Sequence, residues 1–129
     1  MKIEEEARKF MQDRLVITEV ITPDLYERLA GETAIFPKEK ALEYLALGLT
    51  SEAGEVAGKV KKLIRDGEDK EGFELKKIAI SHEIGDVLWY CAMMASEVGV
   101  SLNTIMKDNL EKLHSRKARG TLQGSGDDR

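Results

Sequence analysis

Four carboxylates stand in two pairs, and each pair has the spacing of one helix face. Glu52 and Glu55 lie in "SEAGEVAGKV", whereas Glu83 and Asp86 lie in "SHEIGDVLWY". Residues at positions i and i+3 are neighbours on a helix surface, so the two acids of a pair can share a ligand. Both pairs fall within largely apolar helical stretches, where burying a carboxylate is costly. Burying these acids would therefore require a binding partner that offsets the cost of removing the carboxylates from water.

A metal ion is the partner that these acids favour. The 27 residues between Glu55 and Glu83 allow an antiparallel helix hairpin that brings the pairs face to face. Four carboxylates together repel one another unless some are protonated, basic residues pair with them, or divalent cations lie between them. An all-oxygen cluster suits hard cations such as Mg²⁺ or Mn²⁺, and Mg²⁺ is usually completed by water and phosphates. A single pair, by contrast, is most often a solvated helix face.

Basic and amide side chains follow the acid pairs along the chain. Asn109, Lys112 and Arg116 have i, i+3 and i+7 spacing on the last helix, and Lys59 and Lys62 follow the first acid pair. Cations and an amide beside a metal site could hold phosphates. Taken alone, the basic end of the last helix is more often a solvated group that favours the helix dipole.

Hydrophobic periodicity and helix-end signals predict the elements that position these residues. Thr22-Pro23 marks the start of a short helix that ends before Pro37, and three longer helices follow at about residues 38–65, 73–98 and 102–118. This pattern predicts an all-α, four-helix-bundle-like fold. We expect an N-terminal extension over residues 1–21, a helical domain over 22–119 and a Gly/Ser-rich tail over 120–129.

The wheel projections assign faces to the two acid-bearing helices. The first is expected to bury one apolar stripe, and the second, apolar around most of its circumference, is expected to be central. Its main apolar face comprises Ile80, Ile84, Val87, Leu88, Cys91, Ala95 and Val98. A second, narrower face carries Glu83, Asp86, Tyr90 and Met93, and Trp89 is expected in the core or in an interface.

Composition narrows the class of protein. The formal net charge of −4 argues against binding to a nucleic-acid polymer, which usually needs a basic excess. One cysteine permits no internal disulfide and fits a reducing compartment. No apolar run is long enough for a membrane span, and the N-terminus lacks the apolar core of a signal peptide. We therefore expect a cytoplasmic protein that is not bound to membranes.

Together these motifs resemble a known family. The segments "GLTSEAGEVAGKVKKLIRDG", "HEIGDVLWY" and "NLEKLHSRKARG" resemble the all-α nucleoside triphosphate pyrophosphohydrolases of the MazG type, which are marked by Glu-x-x-Glu, a gap, and Glu-x-x-Asp. The resemblance covers about residues 26–129. It implies cleavage of a nucleoside triphosphate between its α and β phosphates, giving a monophosphate and pyrophosphate. It also implies a homodimer or homotetramer.

The resemblance implies roles for individual residues. Glu52, Glu55, Glu83 and Asp86 would bind Mg²⁺ and act in catalysis, with Mn²⁺ as a possible substitute, and either Glu52 or Glu55 could orient the attacking water. The phosphates would be held by Asn109, Lys112 and Arg116 and, as weaker candidates, by Lys59 and Lys62. Tyr90, one turn after Asp86, would stack on the base.

Two other readings stay open. A carboxylate-bridged di-iron bundle usually needs Glu-x-x-His on two helices. The chain's two histidines are His82 and His114, and only His114 follows a glutamate, Glu111, by three positions. The other reading is a non-catalytic nucleotide-sensing or oligomerisation module on the same fold, because fold and activity can separate.

Overall fold

Four α-helices account for most of the residues that the structure describes. The computed structural model describes residue 5, residues 15–67 and residues 69–129. Its helices are α1 (Pro23–Gly31), α2 (Ala41–Asp66), α3 (Lys70–Val98) and α4 (Leu102–Ala118), with a 3₁₀ turn at Lys38–Lys40 before α2. The described ranges contain no strand, which confirms the predicted all-α class. The predicted N-terminal extension over residues 1–21 lies mostly outside the described residues.

Side-chain caps set the starts of three helices. Thr22, Asp69 and Ser101 each accept a hydrogen bond from the backbone N–H three residues later, at 3.2, 2.8 and 3.1 Å respectively. Such caps satisfy N–H groups that have no partner within the helix. The Asp69 cap explains why α3 begins at Lys70, earlier than the predicted residue 73. At its other end α3 stops at Gly99, whose φ of 72° suits a glycine.

An antiparallel hairpin of α2 and α3 forms the centre of the fold, and α1 packs across α3 and the start of α4. Glu27 of α1 holds this junction together. Its carboxylate accepts hydrogen bonds from Ser96 Oγ at 2.9 Å and from the backbone N–H of Leu102 at 3.1 Å. A single side chain therefore joins α1 to the end of α3 and the start of α4.

The buried core is small. Leu45 of α2 is completely buried, and Ala92 and Met93 of α3 are buried beside it. The other buried apolar residues are Ala30, Ala41 and Ala95. Partly buried aromatic side chains, among them Trp89 and Tyr90, pack against this core. The core therefore lies between α1, α2 and the C-terminal half of α3.

The faces predicted for α2 and α3 need correction. On α3 the narrow face packs against the core through Tyr90 and Met93, whereas Ile84 and Leu88 of the wider apolar face are about half exposed, at 48% and 49%. Leu42 of the predicted α2 stripe is also 50% exposed. Within one chain α1 and α4 cover only part of the wide face: Ala95 is buried, and Leu88 lines a cavity with Tyr26 of α1 and Met106 of α4.

Within the described ranges, no helix combines the length and the apolar composition that a membrane span requires.

Gly48 allows the close approach of α2 and α3. A Cβ atom added at Gly48 would lie 2.1 Å from Cε1 of Tyr90, so the tyrosine ring occupies the space that any other side chain would need. Glu52 lies one turn further along α2 and Asp86 one turn before Tyr90 on α3. The Gly48–Tyr90 contact therefore fixes the helix spacing next to these acids.

We expect Gly48→Ala to lower the free energy of unfolding by about 1–3 kcal/mol through overpacking, which exceeds the gain in helix propensity. Gly54→Ala is the matched control on the same helix, because nothing lies within 4 Å of its Cβ position. That control should stabilise the protein by up to about 1 kcal/mol. Urea denaturation measures both, and equal effects of the two substitutions would contradict the Gly48–Tyr90 contact.

Candidate active site

The α2–α3 hairpin brings three of the four predicted acids together. One carboxylate oxygen each from Glu52, Glu83 and Asp86 can be chosen so that all lie within 4.8 Å of one another. Glu52 and Glu83 are half-buried and Asp86 is exposed. We call these three residues the acid cluster. It opens to solvent on the Asp86 side, so a ligand can reach it without any change in the fold.

Glu55 stands outside the acid cluster. It lies one turn after Glu52 on α2 and is exposed. Its charge still reaches the cluster, because it contributes to the raised pKa of Glu52. The structure therefore separates the first acid pair into one clustered carboxylate and one exposed neighbour.

The crowding of negative charge raises the pKa of Glu52. The largest cause is desolvation, followed by the charges of Asp86, Glu83 and Glu55 and a hydrogen bond with Glu83. Each of these causes disfavours a second or third negative charge at the same place. A cation bound to the cluster would reverse this effect.

The two predicted lysines of α2 lie in different environments. Lys59 Nζ is 3.0 Å from Glu83 Oε1, and both side chains are largely buried, at 29% and 17% exposure. Lys62 is exposed. It acts on Asp66, whose pKa is lowered first by a hydrogen bond from Arg65 and further by nearby lysine charges. Only Lys59 of the two contacts the acid cluster.

A cleft of about 410 Å³ lies beside the acid cluster and is lined by Thr33, Glu52, Asp86, Trp89 and Tyr90. The two aromatic rings meet edge to face, with centroids 5.0 Å apart. The cleft thus has carboxylates on one side and aromatic surface on the other. This combination suits a ligand that carries both charged groups and a planar apolar ring.

Tyr90 lines this cleft, as its predicted role in base binding requires. Desolvation raises the pKa of its phenol, as do the charges of Tyr44 and Glu52, a hydrogen bond with Tyr44 and the charge of Asp86. The phenol therefore stays protonated near neutral pH. Its ring is held between Gly48 and Trp89, which gives the cleft a fixed wall.

Sequence reasoning missed Thr33 and assigned Trp89 to the core or to an interface. Trp89 packs against the core, as predicted, and it also lines the cleft; its Nε1–H donates to Thr33 Oγ1 at 2.8 Å and to the carbonyl of Ala30 at 3.2 Å. Phe36 packs against Trp89 with centroids 6.4 Å apart. Thr33 and Phe36 come from the loop after α1, and no sequence pattern links that loop to the acid pairs.

The predicted phosphate-binding residues of α4 do not meet the acid cluster within one chain. Asn109 and Lys112 are exposed, and α4 makes no backbone contact with α2. Arg116 is 6% exposed, and its Nη2 donates to the carbonyl of Asp127 at 2.7 Å. The C-terminal tail therefore engages the arginine that was predicted to bind phosphate, and the role of all three residues stays a prediction.

The donor set of the acid cluster fits a hard cation. In the part of the chain that the structure describes, no other set of three or more histidine, cysteine or acidic side chains converges in this way. All its ligand atoms are carboxylate oxygens, which Mg²⁺ and Mn²⁺ prefer. His82 and His114 are exposed and do not join it, so the di-iron arrangement finds no support there.

Comparisons with known proteins agree with this geometry. A family model described as the MazG nucleotide pyrophosphohydrolase domain matches residues 40–120, more than half of the chain and inclusive of both acid pairs. The "Gene 37 protein" of Mycobacterium phage L5 is 44% identical over 114 residues, covering 82% of this chain and 97% of that protein, and its name gives no activity. No solved structure matches the chain significantly. On the family match and this level of identity, the chain belongs to the MazG nucleotide pyrophosphohydrolase family.

Proposed function

We propose that the protein is a Mg²⁺-dependent hydrolase that cleaves a ribo- or deoxyribonucleoside triphosphate between its α and β phosphates. The products are the nucleoside monophosphate and pyrophosphate. The observation that carries this proposal is the convergence of Glu52, Glu83 and Asp86 within 4.8 Å at the edge of an open cleft. Membership of the nucleotide pyrophosphohydrolase family supports the substrate class.

The acid cluster would hold Mg²⁺, or Mn²⁺ as a substitute. A bound divalent cation supplies Lewis-acid polarisation of the phosphate and lowers the pKa of water. The three carboxylates offer oxygen donors from two helices, and their mutual repulsion, seen in the raised pKa of Glu52, favours a cation between them. The carboxylates present therefore fit a divalent cation.

Glu55 is our candidate for orienting the attacking water. It is exposed, it lies one turn from Glu52, and it is not needed to complete the acid cluster. Transfer of a phosphoryl-type group depends mostly on positioning and charge neutralisation, so no protein nucleophile is needed. A free carboxylate beside the cluster can accept a hydrogen bond from water and fix its direction.

The cleft would hold the rest of the nucleotide. Tyr90 and Trp89 offer an aromatic wall for the base, and Lys59 and Lys62 lie on α2 on the side of the acid cluster away from Gly48. Planar bases pack well on aromatic surfaces. We keep Asn109, Lys112 and Arg116 as phosphate ligands, which would act on the acid cluster of another copy in an assembled protein.

We also propose that the protein forms a homodimer or homotetramer. The apolar residues along α4, such as Met106, Leu110 and Leu113, are 47%, 56% and 40% exposed. Ile84 and Leu88 of α3 are exposed as well. A helix in water needs its apolar face packed against another element to be stable. A second copy would cover these faces and bring further polar residues to the cleft.

A non-catalytic nucleotide-sensing or oligomerisation module on this fold is the alternative, because family membership does not guarantee activity. We assign the protein to the cytoplasm and to small-molecule rather than nucleic-acid substrates. Its formal net charge of −4 lacks the basic excess that proteins binding nucleic-acid polymers usually show.

The first test is a product assay. The purified protein is incubated with each ordinary NTP and dNTP in Mg²⁺ or in EDTA, and the products are resolved by ion-exchange chromatography. We expect monophosphate and pyrophosphate with Mg²⁺ and no turnover in EDTA. Diphosphate and orthophosphate would contradict the cleavage position. Calorimetric binding of a triphosphate without any product would favour the sensing module instead.

The second test removes one ligand of the cluster. Glu83→Gln keeps the size of the side chain but loses its charge, and we expect kcat/KM to fall by about 100-fold or more, since losing only a hydrogen-bond partner of a metal ligand commonly costs about 10–100-fold. Glu97→Gln is the control, because Glu97 is an exposed acid on the same helix. Circular dichroism checks that both variants stay helical. Full activity of Glu83→Gln would remove the acid cluster from the mechanism.

The third test addresses assembly. Leu110→Gln should shift the protein towards the monomer in sedimentation-velocity experiments, because it places an amide on an apolar face that a second copy must cover. Glu111→Gln changes the adjacent exposed residue and should leave the oligomeric state as it is. A wild-type protein that sediments as a monomer at all concentrations would contradict the proposal.

A further inference from the structure

One lysine is built into the acid cluster. Lys59 Nζ lies 3.0 Å from Glu83 Oε1, and the side chains are 29% and 17% exposed. The other ion pairs among the described residues join side chains that are about half exposed or more. They also join residues close in sequence, whereas Lys59 and Glu83 lie on different helices. This ion pair therefore differs from the others in both burial and topology.

The position of Lys59 opposes the repulsion within the acid cluster. It stands seven residues after Glu52, two helical turns along α2, and its ammonium reaches across to Glu83 on α3. Three carboxylates within 4.8 Å repel one another, and one ammonium offsets the charge of one of them. Without a metal ion, the ammonium of Lys59 is thus ion-paired with Glu83, one of the three carboxylates proposed to bind the metal.

The same carboxylate cannot serve both cations equally well. A divalent ion bound by Glu83 draws electron density from the carboxylate and repels a nearby ammonium. At 3.0 Å the ammonium contacts Oε1 of Glu83 directly, so the positive charge of an ion on the same carboxylate repels it and weakens this pair. Lys59 can follow, because its long side chain lets the ammonium turn towards solvent.

We propose that Lys59 is a displaceable internal counterion that stabilises the metal-free acid cluster and is released from Glu83 when a divalent cation binds. This inference rests on the proposed metal-dependent function. It makes Lys59 a residue that sets metal affinity, in addition to any contact with phosphates. The alternative is that Lys59 only positions Glu83 for metal binding, and this alternative predicts the opposite change in affinity.

The experiment compares Lys59→Met with Lys61→Met in the full-length chain. Methionine keeps much of the length of lysine without its charge. Lys61 is an exposed lysine on the same helix, so it controls for the loss of one positive charge. Mn²⁺ binding is measured by isothermal titration calorimetry without nucleotide, and thermal unfolding is measured in EDTA and in saturating Mn²⁺.

We expect Lys59→Met to bind Mn²⁺ about tenfold more tightly than the wild type, because the ion no longer competes with the ammonium. In EDTA its Tm should be about 4 °C lower, a shift of the size that a modest loss of stability produces in a domain of this length. Saturating Mn²⁺ should remove most of that difference. Lys61→Met should change neither quantity by more than about a third of these effects.

Several outcomes would overturn this role. Unchanged or weaker Mn²⁺ binding by Lys59→Met would show that the lysine does not compete with the ion. The same tightening in Lys61→Met would show a general effect of charge. Absence of Mn²⁺ binding by the wild type would contradict the proposed metal centre itself, and an unchanged Tm of Lys59→Met in EDTA would overturn the counterion role separately.

Discussion

The mutual repulsion of carboxylates on two packed helices is the constraint on which the site depends. Glu52 of α2 and the α3 pair Glu83 and Asp86 approach within 4.8 Å only because the helices themselves are held close by other contacts. Leu45 is fully buried between them, and the ring of Tyr90 fills the notch at Gly48. Apolar packing thus supplies the free energy that holds like charges together, and the charges in turn favour a cation.

The aromatic wall of the cleft connects the site to the rest of the fold. Trp89 is anchored by its Nε1–H to Thr33 and Ala30, so the loop after α1 fixes the ring that faces the acids. Glu27 ties α1 to the junction of α3 and α4 in the same region. Because each of these contacts joins distant parts of the chain, a short first helix contributes to the shape of a cleft whose charged residues lie elsewhere.

Apolar side chains on α3 and α4 remain exposed when the chain is taken alone. With α4 in contact only with α1 and α3, Ile84 and Leu88 stay about half exposed, and the polar residues of α4 stay away from the acid cluster. Arg116 instead donates to the carbonyl of Asp127. A single copy therefore brings the acid cluster together and keeps the exposed Asn109 and Lys112 of α4 away from it.

The sequence by itself determined the helices and the chemistry of the acids, because caps such as Thr22 and Ser101, helical periodicity and the i, i+3 spacing are local properties. The tertiary structure decided which side chains meet. It separated Glu55 from the cluster, joined Lys59 to Glu83, and brought Thr33 and Trp89 to the cleft. It also packed Tyr90 and Met93 of the narrow α3 face against the core and left Ile84 of the wide face about half exposed. These outcomes depend on the rotation and spacing of packed helices, and helical periodicity cannot say which of two apolar faces finds a partner.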